Sequence, residues 1–241
     1  MTDLSLPQNT VVEEEKDVLG DGLVLESGLY KGIVEMAYLD SNQNGTKLIT
    51  IHFKRNGRVF KFTNYISNQQ GSFTYVDKKT QQNKPLPGYL LMDSFFKAVT
   101  GSGIAEQATT AKMVKVWNPT TSKEEPKEVQ VFEAVLNKPL SAGILKVSSE
   151  KTTPESGYKQ GTGEFRDSNE FNKFFDAETG QTVSEKAANQ QAAFLLKWKE
   201  RNDNKTRVKK APIPGTATNT ATAGTTAGMP AGNAPDPFED S

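Results

Sequence analysis

From Leu48 to Tyr65 the sequence is patterned as a hairpin and fits little else. Ile49, Ile51 and Phe53 alternate with Thr50, His52 and Lys54, the period of two that marks a strand with one buried face. Asn56-Gly57 follows, a dipeptide that accepts the positive φ angles of a tight two-residue turn. The alternation then resumes, with Val59, Lys61, Thr63 and Tyr65 on one side and Arg58, Phe60, Phe62 and Asn64 on the other. Burying Phe60 and Phe62 turns Lys61 and Tyr65 outward. The opposite choice leaves two phenylalanines in water, a costly surface unless a ligand covers them.

Further elements group around this hairpin. Gly28 to Asp40 reads as a long strand, bent or bulged near Gly32. Ser41 to Gly45 is a turn, Ser72 to Val76 one arm of an added hairpin, and Gly88 to Val99 a helix stopped by Gly101. Strands are expected at Ala111–Trp117 and Glu128–Leu136, joined by the turn-rich Asn118–Lys127, with a short one at Ile144–Val147. A helix is expected from Ser184 to Asn202, with Ala187, Gln191, Phe194, Leu195 and Trp198 along one side. Phe194 and Trp198 are read as core rather than ligand contacts. Three strands, a helix and two further strands follow the order of the OB-fold, a five-stranded Greek-key barrel. The fold class expected is therefore mainly β: an OB-fold-like barrel with an added hairpin and helices.

Charge divides the chain into three. Residues 1–21 hold six acids against Lys16, an acidic and partly flexible segment. Residues 22–210 hold 28 basic and 20 acidic residues and form the folded domain, its helical extension included. Residues 211–241 contain no Lys or Arg, and Ala, Thr, Gly and Pro supply 22 of the 31. Such a segment buries too little to offset its ordering entropy, so a disordered linker is expected. It ends on an acidic tip with one aromatic ring, Asp236-Pro237-Phe238-Glu239-Asp240. No apolar run approaches the ~20 residues of a membrane helix. Met-Thr-Asp-Leu-Ser carries no signal-peptide pattern, so a cytoplasmic location is expected.

The familiar chemistries find no residues here. The chain has no cysteine and one histidine, which excludes a thiolate centre and leaves His52 without metal-ligating partners at a telling spacing. Asp40 to Gly45 matches half a calcium loop, but the twelfth position is Ile51 where a bidentate Glu belongs. No phosphate-binding glycine loop or zinc-protease motif occurs. Neither an enzyme nor a cofactor is expected.

What the sequence does offer is a basic and aromatic stretch. Between Ser41 and Thr100 nine basic residues face only Asp77 and Asp93, and six of the 21 aromatics fall between Phe53 and Tyr75. Unpaired nucleic acid needs this combination, with cations for the phosphates and rings for the bases. The candidate contacts are Lys54, Arg55, Arg58, Phe60, Lys61, Phe62, Tyr65, Phe73, Tyr75, Lys78 and Lys79.

With that stretch, the strand order and the tail taken together, the chain resembles a bacteriophage single-stranded DNA-binding protein. The resemblance implies a protein that coats single-stranded DNA in replication, recombination and repair. It also implies that Asp236, Pro237, Phe238, Glu239 and Asp240 recruit replication proteins such as a polymerase, helicase or primase, with a homo-oligomer possible and no membrane involved. In that family the aromatic is usually the last residue, whereas here Glu239, Asp240 and Ser241 follow Phe238. A virion structural or assembly protein, with a β-rich domain and a docking tail, is the alternative.

Overall fold

The computed structural model describes residues 24–118, 121–155 and 158–211. The acidic segment 1–21 and the tip residues Asp236, Pro237, Phe238, Glu239 and Asp240 lie outside them.

Strand β1 (Gly28–Ser41) is the spine of the fold. Along one edge it pairs antiparallel with β2 (Lys47–Arg55), from Ile33–Lys54 to Ser41–Lys47. A register shift between Val34 and Met36 bulges it, and Gly32 lets it press closely on its neighbour. A Cβ at Gly32 would stand 2.4 Å from the Lys54 carbonyl oxygen. Strand β3 (Arg58–Tyr65) pairs with β2 through the Asn56-Gly57 turn, where φ is 49° and 76° as such a turn requires.

A small hairpin of β4 (Thr74–Val76) and β5 (Asn83–Pro85) precedes helix α1 (Pro87–Thr100). Pro87 sits at the helix start, where its missing N–H costs nothing, and Gly101 closes the helix at φ 84°. Strands β6 (Thr110–Asn118) and β7 (Lys123–Val131) form a second hairpin. Strands β8 (Pro139–Glu155) and β9 (Tyr158–Phe175) form a third and much longer one. Helices α2 (Val183–Ala187) and α3 (Phe194–Asn202) and strand β10 (Thr206–Lys209) follow.

The free edge of β1 is shared between two partners. Gly28–Ile33 pairs with β8, and Tyr38–Leu39 pairs with β7. The main ladder thus runs β10–β8–β1–β2–β3, with β9 on β8. Val34, Ile49, Ile51, Phe53, Ile144 and Phe174 fill its inner face, and α1 adds Met92, Phe95 and Phe96. The sheet curls until its two ends meet through side chains: Phe62 of β3 stacks on Phe171 of β9, centroids 3.9 Å apart. No ladder joins β3 to β9 among the described residues. The molecule is mainly β with a large antiparallel sheet, and the closed five-stranded barrel expected from the sequence is not formed.

Other boundaries differ from expectation for local reasons. Strand β7 starts at Lys123 rather than Glu128, and a short 3-10 turn, Glu133–Val135, occupies the expected strand end. The run Ile144–Val147 lies inside a 17-residue strand, and β9 falls in a stretch with no strand signal of its own. The far half of that hairpin is held by its ladder and by pairs such as Lys151–Glu164 rather than by apolar alternation, so no pattern betrayed it. The helix expected at 184–202 is two helices. Glu185 is buried and accepts the N–H of Thr182 at the first helix start, and those of Ala193 and Phe194 at the second. Burial raises this carboxyl, but these hydrogen bonds outweigh it and leave it below the ordinary value, hence charged. Asn189, at φ 51°, breaks the chain between them.

Because no ladder joins the end strands among the described residues and Phe62 stacks on Phe171, Phe171→Ala removes the ring contact that joins them. A loss of about 3–5 kcal/mol in urea-unfolding stability is expected, and a loss below about 1 kcal/mol contradicts this account of the fold.

Candidate nucleic-acid interface

Packing decides the orientation of β3. Phe62 is buried and Phe60 half-buried against the main core, so Val59, Lys61, Thr63 and Tyr65 point out, with Tyr65 56% exposed. Directly across the ladder, the same face of β2 carries Lys54, His52, Thr50 and Leu48.

Part of this face is covered by the chain itself. The β6–β7 hairpin curls over β1 and β2, and Val114, Val129 and Val131 close on Tyr38. Tyr38, Thr50 and His52 are thereby buried. Among the described residues three ion pairs tie this arm to its surroundings, Lys112 of β6 reaching Glu133 at 2.6 Å. Lys127 donates to Asp40 of β1 at 2.6 Å, and Lys61 of β3 donates to Glu124 of β7 at 2.5 Å. The Lys61 hydrogen bond holds the Glu124 carboxyl below its ordinary value. Both partners remain substantially exposed, so the pair is weak and screened by salt.

The arm also supplies residues that the sequence reading passed over. Trp117 stands opposite Glu124 in the β6–β7 ladder, on the same face, and is 58% exposed. Met113 and Lys115 share that face and are exposed. An indole therefore neighbours Glu124, the partner of Lys61. Alternation from Ala111 to Trp117 was the signal available. It puts Met113, Lys115 and Trp117 on one side, and two large apolar groups on a charged, solvated face call for an explanation.

The eleven expected contacts fall into two groups. Arg58, Lys61, Tyr65, Tyr75, Lys78 and Lys79 are exposed. Tyr75, Lys78 and Lys79 sit apart from the β3 row on the β4–β5 hairpin, whose turn is fixed by Asp77 accepting the N–H of Lys79 and Thr80. The other five are engaged by the protein. Phe62 has one face on Phe171 and no surface for a base. Phe60 packs on the core, and Phe73 lies against Tyr89 with the Lys47 ammonium 5.1 Å from its ring. Lys54 donates to Glu35 at 2.9 Å, and the Arg55 guanidinium lies 4.9 Å over the Tyr30 ring. Phe60, Phe62 and Phe73 thus serve packing where the sequence suggested base contacts.

The half calcium loop is an Asn-capped turn, since Asn42 Oδ1 accepts the N–H of Asn44 and Thr46. Among the described residues no group of three metal-ligating side chains is assembled. His52 is a strand residue under the arm. Its ring meets Tyr38 edge-on at 5.8 Å, and its Nε2 is buried without a partner.

Burial, and next the nearby Lys61 charge, lower the His52 pKa from 6.5. The unfolded chain therefore takes up this proton first. Stability contributed by the neutral ring is complete above pH 6.5 and is lost as pH falls toward the folded pKa. His52→Phe should flatten the urea midpoint between pH 6.5 and 5, above the range where carboxylates titrate. An unchanged acid slope in the variant contradicts the burial of a neutral imidazole. Comparison with protein-family models, with curated proteins and with solved structures finds no match for the chain.

Proposed function

We propose that the chain is a single-stranded DNA-binding protein without enzymatic activity, acting in replication, recombination and repair. Unpaired DNA would lie along the outward row of β3, with Lys61 and Arg58 neutralising phosphates and Tyr65 and Trp117 stacking bases. The observation that carries this reading is that Tyr65, on the outward face of β3 with Lys61, and Trp117, opposite Glu124 in the β6–β7 ladder, are both exposed, while Lys61 and Glu124 meet in a surface ion pair. Rings left in water at such a place gain about 1–3 kcal/mol from each stacked base, with little regard for sequence.

The architecture supports the same reading. We read the curled sheet of β1, β2, β3, β8 and β9, with a helix after the third strand, as an OB-like barrel left partly open, a fold whose second and third strands form the usual nucleic-acid face. The β6–β7 arm is an insertion that narrows this face, and Glu124 would be displaced from Lys61 by a phosphate. The tip Asp236–Asp240 would compete for the same cations in the free protein and recruit replication proteins once DNA displaces it.

Titration with oligo-dT, followed by tryptophan fluorescence at several salt concentrations, tests the proposal. Quenching on binding is expected, with affinity falling steeply as salt rises and far weaker binding of duplex. A flat salt response, or duplex bound as tightly, rejects it. Tyr65→Ala should weaken binding by about 1–3 kcal/mol. Glu124→Gln should tighten it, because Lys61 is freed and one acid is lost; unchanged or weaker binding in that variant refutes the proposed exchange of carboxylate for phosphate. Removing residues 231–241 should tighten DNA binding slightly and abolish capture of replication proteins, and no effect on either removes the tail from the account.

A further inference from the structure

The opposite end of the sheet carries a second concentration of cations that the β3 face does not explain. Helix α3 lies over β8 and β9, where Leu145, Val147, Phe175 and Trp198 form a small separate core. Trp198 is fixed there: its Nε1 donates to Asn172 Oδ1 at 2.7 Å, its ring meets Phe175 edge-on, and Gly143 lies beneath it. A Cβ at Gly143 would stand 2.6 Å from the indole, so this seat requires glycine.

Beside the indole an open pocket of about 340 Å³ is lined by Asn172, Trp198, Arg201, Lys205, Thr206 and Arg207, together with Leu145 and Asn202. Among the described residues three cations line it and no carboxylate does. Lys205 is held in place by donating to the carbonyls of Glu200 and Arg201 at the C-terminal end of α3, and Arg201 is exposed.

The ladder extends this charge beyond the pocket. Parallel pairing sets Arg207 opposite Val147 and Lys209 opposite Ser149, while antiparallel pairing sets Ser168 opposite Val147 and Arg166 opposite Ser149. Residues opposite one another share a face, so Arg207, Lys209 and Arg166 lie on one side of the β10–β8–β9 sheet, with small residues between them. Glu170 is on the same side, opposite Leu145, and is taken up by Lys209 at 2.5 Å.

We infer that this face, with the Trp198 pocket at its head, is a second anion site that takes consecutive phosphates of a nucleic-acid strand. The ligand class follows from the geometry. Arg207, Lys209 and Arg166 on one face, with Glu170 among them already paired with Lys209, fit a chain of phosphates better than a single carboxylate. The pocket has the volume of a small-molecule site and is lined by three cations, and so suits a phosphate with its attached sugar. Strand binding here rests on the nucleic-acid reading above, whereas binding of phosphate itself does not.

Arg166→Gln/Arg201→Gln is the variant of choice, since both side chains are exposed and neither is needed for packing. Calorimetry with inorganic tripolyphosphate should show binding to the full chain and at least a fivefold loss in the double variant, with Lys138→Gln, an exposed lysine outside both faces, unaffected. With a dT oligonucleotide long enough to span both faces, the salt slope of the double variant should fall by roughly 1.4, the loss of two single-strand phosphate contacts. If tripolyphosphate does not bind, or binds the double variant as tightly, the site is refuted. Arginine-dependent tripolyphosphate binding without any DNA binding keeps the site and overturns the proposed function instead.

Discussion

Two stacked phenylalanine rings hold the architecture together. The end strands of the curled sheet, β3 and β9, share no ladder among the described residues, and Phe62 on Phe171 brings them together. Such a contact is non-directional compared with a row of hydrogen bonds, but it buries two large rings at once. It also fixes a choice that the backbone leaves open. Once Phe62 faces β9, period-two geometry sends Lys61, Thr63 and Tyr65 to the other side. The core contact and the candidate binding row are two consequences of one orientation.

The second constraint is coverage. An open outer sheet face with His52, Tyr38 and Thr50 in water would be broad and shallow. The β6–β7 arm buries these three and leaves the β3 row and the arm's own Trp117 exposed. The anchors differ in kind. Valines close on Tyr38 by apolar burial that salt does not weaken, whereas Lys61–Glu124 is an exposed pair that salt or a competing anion loosens. The arm is thus fastened firmly at its root and lightly at the point nearest the proposed phosphate path.

Much of this was legible in the sequence, because local rules and tertiary packing agreed there. Asn56-Gly57, the alternation on both sides of it, Pro87 and Gly101 each act through backbone geometry, and β2, β3 and α1 formed where these signals put them. Orientation of β3 was readable because two adjacent inward phenylalanines have one inexpensive solution. The site was readable only in part. Residue type marked Lys54, Arg55, Phe60 and Phe73 as ligand contacts, yet Glu35, Tyr30 and the core engage them, and partners that distant in sequence leave no local trace. Strand β9 was hidden because its outer half is stabilised by pairing with β8 rather than by burial. The split between α2 and α3 was hidden because Glu185 reaches across eight and nine residues to the second helix start.

The central claim is where bases lie. Ultraviolet crosslinking of the full chain to oligo-dT, with adducts located by mass spectrometry, addresses it without altering any side chain. Adducts on Tyr65 and Trp117 are the expected result. Efficient crosslinking that leaves both residues unmodified would contradict the account.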